Sequence, residues 1–151
     1  MDEKVKRIDT PEKCEIFAKN CAKNDEYDLA QQAKERAVQL RAEQHGAETQ
    51  AEREALEAIY AYEDVLAAKN GKKTRASRTW QMTERHGIIA TAERAVNRPT
   101  ETQGYSALIE MGLEAYSFEN VILRHQDIFS EDAVNVARER LEHWDSGAEN
   151  S

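Results

Sequence analysis

Two cysteines, Cys14 and Cys21, are the first candidates for chemistry, because paired thiols can form a disulfide, a redox couple or part of a metal site. They stand seven residues apart in a segment with helical periodicity, and seven residues of α-helix rise about 10 Å. A disulfide needs Cα atoms within about 7 Å, and zinc–thiolate bonds are only about 2.3 Å long. The spacing therefore excludes a shared bridge or a shared zinc ion. We predict that both thiols are buried as small hydrophobic groups.

The histidines could ligate metal or carry protons, and they are His45, His86, His125 and His143. None belongs to an HxxxH, HExxH or ExxH pattern, so the di-iron bundle signature is absent. His45 and His86 each precede a glycine, which predicts that they end helices where an imidazolium complements free carbonyl groups. His125 and His143 carry no specific signal. We therefore predict no metal site.

Carboxylates are plentiful, and the pairs Glu54/Glu57 and Glu110/Glu114 each share a helical face, as general acid–base catalysis would use. A chain with 29 acidic residues produces this spacing constantly, so we predict that both pairs are solvated. The chain also lacks the GxxxxGK[ST], GxGxxG and GxSxG motifs. No catalytic or cofactor-binding residue is predicted. Clustered carboxylates with raised pKa values in the core would indicate an enzyme or a small-ligand-binding bundle. This function is a third hypothesis, after the two interaction functions given below.

Charge is distributed unevenly along the chain. Residues 69–98, here called the basic segment, contain eight Lys or Arg and two Glu, a net +6, so the remainder of a chain of net charge −8 carries −14. Such asymmetry can steer an anionic partner towards an acidic protein. The candidate macromolecule-binding residues are Lys72, Lys73, Arg75, Arg78, Arg85, Arg94, Asn97 and Arg98.

Helical phase places part of the basic segment on one face. At about 100° per residue, Arg75, Arg78 and Arg85 fall within an arc of about 80°. Lys72 and Lys73 precede the predicted helix start, where free N–H groups favour an anion. The residues predicted to be buried on the opposite side are Ala76, Trp80 and Thr83.

The same segment has the length of a helix-turn-helix, with helices at 75–85 and 88–97 around a turn at His86-Gly87. Met82, Ile88 and Val96 match its apolar positions, whereas Thr83 and Glu93 depart from the motif. The outward residues of the second helix, which would contact bases or phosphates, are Thr91, Arg94, Asn97 and Arg98. The alternative is that the segment docks on acidic helices of its own chain or of a second copy.

Helix signals cover most of the chain and must position these residues. Apolar periodicity, capping hydroxyls and stop glycines predict helical segments over 11–23, 26–44, 50–69, 75–85, 88–97, 102–116, 118–126 and 131–144. No segment alternates with period two, so no strand is predicted. The interpretation is an all-α protein, a compact bundle or orthogonal array of about seven helices that opens with an αα-hairpin. We assign 1–9 to an N-terminal extension, 10–144 to a single domain and 145–151 to a flexible polar tail.

Residues 14–42 resemble one tetratricopeptide repeat. The residues that match its large and small positions are Phe17, Ala18, Tyr27, Ala30 and Ala37. The pattern departs where Cys14 and Lys34 replace aromatic residues. The resemblance implies a helical hairpin and peptide binding in a concave groove. The alternative is that Ala-rich antiparallel helices pack closely because alanine permits it.

Composition narrows the classes of function. Among 151 residues there are only six Gly and two Pro, which favours helices over sandwiches, barrels and Rossmann folds. No apolar run approaches the roughly 20 residues of a membrane span, and the N-terminus lacks a secretory signal, so we expect a cytoplasmic protein without membrane association. The leading hypothesis is a non-enzymatic interaction or adaptor module that binds an acidic macromolecule through the basic segment. The first alternative is a nucleic-acid-binding regulatory protein, and a homodimer is also open.

Overall fold

The computed structural model describes residues 1–97 and 102–149, and these residues are mostly helical. Within those ranges the chain forms nine α-helices, one 3-10 helix and no strand, which confirms the all-α prediction. The chain divides into two compact units, residues 1–47 and 48–151. The single domain over 10–144 stays a prediction. No helix in the described ranges combines the length and apolar character needed to cross a bilayer.

The first unit contains α1 (Glu3–Lys6), α2 (Pro11–Lys23) and α3 (Tyr27–His45). Helix α2 begins where the sequence predicts, because the Thr10 hydroxyl accepts a hydrogen bond from the Lys13 amide at 3.2 Å and Pro11 occupies the first turn. Helices α2 and α3 pack as the predicted αα-hairpin. Its buried small residues are Ala18, Cys21, Ala30 and Ala33.

The N-terminal residues contain a short helix that was not predicted. Helix α1 lies against α3, and Val5 is fully buried. The Asp2 amide donates to the Gln32 side chain at 2.6 Å, and the Arg36 side chain donates to the Ile8 carbonyl at 3.3 Å. One apolar residue among charged neighbours gave no periodic signal, which is why sequence reasoning missed this helix.

Tyr27 does not occupy the large position that the resemblance to the repeat assigns to it. Its side chain is 64% exposed, and its hydroxyl donates to the Asp25 carboxylate at 2.9 Å. Asp25 has a left-handed backbone, with φ of 59°, and the Glu26 amide bonds the Cys21 carbonyl at 2.8 Å. This C-terminal motif of α2 directs the chain so that Tyr27 points to solvent.

The second unit contains α4 (Gln50–Asn70), α5 (Ser77–His86), α6 (Ile88–Asn97), α7 (Thr102–Glu110), a 3-10 helix (Glu114–Tyr116), α8 (Phe118–Arg124) and α9 (Glu131–Glu149). Helix α8 is central, because Val121 and Ile122 are fully buried. They join a core with residues of α4, α6 and α9, which include Ala55, Val96 and Ala137.

Two helix boundaries differ from the prediction. Helix α7 ends at Glu110 rather than continuing to 116, because Gly112 has a φ of 68° and the Leu113 amide bonds the Leu108 carbonyl at 2.8 Å. Helix α9 continues to Glu149, beyond the predicted end at 144. A single glycine at 147 weakens a helix without ending it, so the segment taken as a flexible tail begins as helix.

Candidate functional site

The basic segment begins in the last turn of α4 and continues through the connection to α5 and through α5 and α6. Lys72, Lys73 and Arg75 lie between α4 and α5, Arg78 and Arg85 lie on α5, and Arg94 and Asn97 lie on α6. All seven side chains are exposed. Arg98 lies outside the described residues.

Helix α5 carries a shorter basic stripe than predicted. The helix begins at Ser77, so Arg75 precedes it and does not share a helical face with Arg78 and Arg85. The guanidinium of Arg75 lies 5.6 Å from the centre of the Trp80 ring instead. Arg78 and Arg85 are two turns apart, about 10 Å along the axis, and keep a common exposed face.

The opposite side of α5 is buried through contacts with α4. Ala76, just before the helix, is 5% exposed and Trp80 is 9% exposed, as predicted, whereas Thr83 is half-buried. Glu63 of α4 accepts hydrogen bonds from the Ala76 amide at 2.8 Å and the Trp80 indole at 2.7 Å, while Tyr60 packs on the Trp80 ring with centroids 5.1 Å apart. The carboxylate of Glu63 thus occupies the anion position at the start of α5 that sequence reasoning left open for a partner.

Four cations of the basic segment have no ion-pair partner among the side chains that the structure describes. No carboxylate whose side chain is described lies within salt-bridge distance of Lys72, Arg78, Arg85 or Arg94. By contrast, Arg124 pairs with a carboxylate at 2.5 Å. The exposed positive charges of the basic segment are therefore available to another molecule.

The helix-turn-helix comparison fails at two points. Only Gly87 separates α5 from α6, whereas that motif joins its helices by three or four residues. Thr91, predicted to face outward, is fully buried, and its hydroxyl donates to the Gly87 carbonyl at 2.8 Å. Glu93 accepts a hydrogen bond from the Ser130 amide at 2.6 Å. Among the described residues that were predicted to face outward from the second helix, Arg94 and Asn97 are exposed.

A second polar group, which sequence reasoning missed, joins α4 to α8. The carboxylate of Glu54 accepts a hydrogen bond from the Arg124 Nε atom at 2.5 Å and contacts the His125 Nε2 atom. Arg124 also donates to the Ala115 carbonyl at 2.8 Å. Burial opposes ionisation of Glu54, but the hydrogen bonds from His125 and Arg124 outweigh it and lower its pKa.

The prediction that Glu54 and Glu57 are solvated is wrong, because Glu57 is 8% exposed. Burial raises the pKa of Glu57 to about 7, and the adjacent Glu54 carboxylate adds to this effect. Burial also raises the pKa of Glu119, whose carboxylate lies 3.5 Å from Arg140. Raised pKa values at buried carboxyls are the feature expected of the alternative function, an enzyme or a small-ligand-binding bundle. Glu110 and Glu114 are exposed, as predicted.

The cysteines and the two histidines that precede glycines lie where the sequence predicts. Cys14 and Cys21 are free and buried, and burial raises the pKa of both thiols, which confirms their prediction as buried hydrophobes. His45 and His86 are the last residues of α3 and α5, as predicted. Among the described residues, no group of three or more His, Cys, Asp or Glu side chains is arranged to hold a metal ion.

Comparison with known proteins does not assign this chain to a class. No protein family model, curated protein or solved structure matches it. The pattern shared with one tetratricopeptide repeat therefore stays a resemblance, and function has to be argued from the side chains alone.

Proposed function

We propose that this chain is a non-enzymatic interaction module whose basic segment binds an acidic surface of a protein partner. The observation that carries the proposal is the exposure of Lys72, Arg78, Arg85 and Arg94 without a carboxylate partner among the side chains that the structure describes. A partner that supplies carboxylates does not have to break an internal ion pair first. Complementary charges of this kind raise the rate of association and fix orientation.

The chemistry of α5 favours carboxylates as ligands. Arg78 and Arg85 present planar guanidinium groups that can bind a carboxylate through two parallel hydrogen bonds. Their spacing of about 10 Å along one helical face equals the rise between acidic residues seven apart on another helix. An acidic helix can therefore place two carboxylates on these two arginines at once.

A protein surface suits the charge distribution better than a long nucleic acid. The chain outside the basic segment carries a net charge of −14. Like charges repel one another over about one Debye length, which is about 8 Å at physiological salt. A polyanion that extends past the segment meets this negative charge, whereas a short acidic epitope does not. The short turn at Gly87 and the burial of Thr91 also weaken the nucleic-acid alternative.

Fluorescence anisotropy of a labelled 20-residue Glu-rich helical peptide tests the proposal. We expect wild-type protein to bind it at about 50 mM salt and to lose affinity at about 200 mM salt, since the contact is electrostatic. The variant Arg78→Gln/Arg85→Gln should bind at least about fivefold more weakly, which is the loss of roughly 1 kcal/mol. The control Lys19→Gln/Lys23→Gln removes the same charge from exposed positions on α2 and should bind like the wild type.

Three results would overturn the proposal. The first is no binding by the wild type at the lower salt concentration. The second is equal weakening by the α5 variant and by the α2 control, which would mean that only total charge matters. The third is tighter binding of a labelled 20-base-pair DNA or 20-nucleotide RNA than of the peptide, which would favour the nucleic-acid alternative.

A further inference from the structure

Helix α5 presents four side chains on one face. Arg78 and Arg85 lie at the two ends of this face, and Gln81 and Met82 follow Arg78 by three and four residues. Residues three, four and seven apart share one side of an α-helix. Both arginines and Gln81 are exposed, and Met82 is half-buried. The face therefore offers two cations with an amide and an apolar group between them.

Helix α9 presents the same spacing with opposite charges. Asp132 and Glu139 are seven residues apart, and Asn135 and Val136 lie between them. Both carboxylates and Asn135 are exposed, and Val136 is half-buried. Each arginine of the α5 face thus has a carboxylate as its counterpart on the α9 face. The amide and the apolar side chain of one face likewise correspond to an amide and an apolar side chain on the other.

The two carboxylates of the α9 face have no ion-pair partner among the side chains that the structure describes. Asp28 and Glu35 of α3 are also acidic residues seven apart on one helix, but Glu35 is half-buried and already has a partner. Among the described side chains, Asp132 and Glu139 are the one pair of exposed carboxylates with this spacing on a helix. They therefore match the spacing of the two arginines.

The α5 face and the α9 face do not bind each other within one chain. No ion pair joins either arginine to either carboxylate, and α5 and α9 each pack on α6. A second copy of the chain can supply the missing partner of both faces. Two copies can exchange two such contacts around a twofold axis, or successive copies can form a chain.

We propose that the acidic partner of the basic segment is α9 of a second copy of this chain. Arg78 and Arg85 bind the two carboxylates through parallel hydrogen bonds, and the amide and apolar side chains between them come into contact. This inference rests on the proposed function, because it names the partner of the same arginines. Two copies of net charge −8 repel one another at long range, so we expect association at micromolar rather than nanomolar concentrations.

Sedimentation velocity of full-length variants with reversed charges tests this proposal. Arg78→Glu/Arg85→Glu makes both faces acidic, and Asp132→Lys/Glu139→Lys makes both faces basic. We expect the wild type to associate between about 10 and 200 μM. Each variant alone should associate at least about tenfold more weakly, because like charges then meet. An equimolar mixture of the two variants should restore association, since each α5 face again meets an α9 face of opposite charge.

Two controls make the result specific to these faces. Lys19→Glu/Lys23→Glu changes the net charge as much as the α5 variant does, at exposed positions on α2, and should associate within about twofold of the wild type. If a reversed variant loses its far-UV circular dichroism, the neutral variants Arg78→Gln/Arg85→Gln and Asp132→Asn/Glu139→Gln replace the reversed ones. Each neutral variant should weaken association at least about fivefold.

A wild type that stays monomeric at the highest concentration would overturn the proposal. A mixture of the reversed variants that associates no better than its components would also overturn it, as would equal weakening by the α2 control. A chain that binds the Glu-rich peptide but does not self-associate refutes this inference and leaves the proposed function intact. Absence of peptide binding refutes the proposed function itself.

Discussion

Replacing Glu63 by alanine should loosen α5 from α4 and destabilise the second unit. One carboxylate oxygen of Glu63 accepts from both the Trp80 indole at 2.7 Å and the Ala76 amide at 2.8 Å. Trp80 is 9% exposed and Ala76 is 5% exposed, so water has little access to either donor after the carboxylate is removed. The substitution therefore leaves two nearly buried N–H groups without an acceptor.

The expected loss follows from the kinds of bond removed. A hydrogen bond to a charged group contributes about 1.5–3 kcal/mol, and an unsatisfied buried donor costs about 1–3 kcal/mol. Both figures describe the loss of the same hydrogen bonds and are not added together. We therefore expect Glu63→Ala to lower the free energy of unfolding by about 2–4 kcal/mol. Glu63→Gln keeps a neutral acceptor oxygen and should lose about half as much, because neutral hydrogen bonds are roughly half as strong.

Urea unfolding followed by far-UV circular dichroism measures these losses. Trp80→Phe provides the partner variant, since it keeps a ring against Tyr60 and removes the indole N–H. A double-mutant cycle between Glu63→Gln and Trp80→Phe should give a coupling energy of about 1 kcal/mol. A loss below about 0.5 kcal/mol for Glu63→Ala, the range of ordinary surface substitutions, would refute the reasoning.

Two more predictions concern buried titratable groups. The pKa of Glu57 is about 7 in the folded chain and 4.5 as its reference value, so the folded state binds more protons between these values and its stability falls as pH rises from about 4.5 to 7. Denaturation at pH 4 and pH 8 should show that Glu57→Gln is close to wild type at pH 4 and about 3 kcal/mol more stable at pH 8. Cys14 and Cys21 are buried and their pKa values are raised, so a thiol reagent such as Ellman's reagent should modify them much more slowly in the folded protein than in urea. Equal rates in both conditions would contradict that prediction.

Local signals in the sequence predicted most of the helices, because caps and stops act within a few residues. Thr49 begins α4 as a capping residue, with its hydroxyl 3.1 Å from the Glu52 amide. Gly71 ends the same helix with a φ of 73°. Both features follow from backbone groups that have no partner within the helix. The apolar stripe of α9 likewise predicted the buried Ala137 and Leu141.

The errors in the basic segment arise from contacts made outside the helix. The angular positions of Arg75 and Arg78 assume one continuous helix from residue 75. Glu63 instead bonds the Ala76 amide, and the observed helix begins at Ser77. Thr91 is polar, yet it is buried because its hydroxyl bonds the Gly87 carbonyl of its own helix turn at 2.8 Å. A polar residue that satisfies itself within one turn can lie in a core, and polarity alone does not reveal this.

The Glu54 contact could not be predicted from spacing, since it joins residues about 70 positions apart in the chain. Sequence periodicity placed Glu54 and Glu57 on one side of α4, and this was correct as geometry. Whether that side is solvated depends on which helix covers it, and α8 does so because Val121 and Ile122 bury their side chains in the same core. Hydrophobic burial therefore brings Arg124 and His125 to Glu54, and Glu57, one turn along the same side of α4, is buried as well. The raised pKa of Glu57 is therefore a consequence of burial in the packed helices and not of the sequence pattern around it.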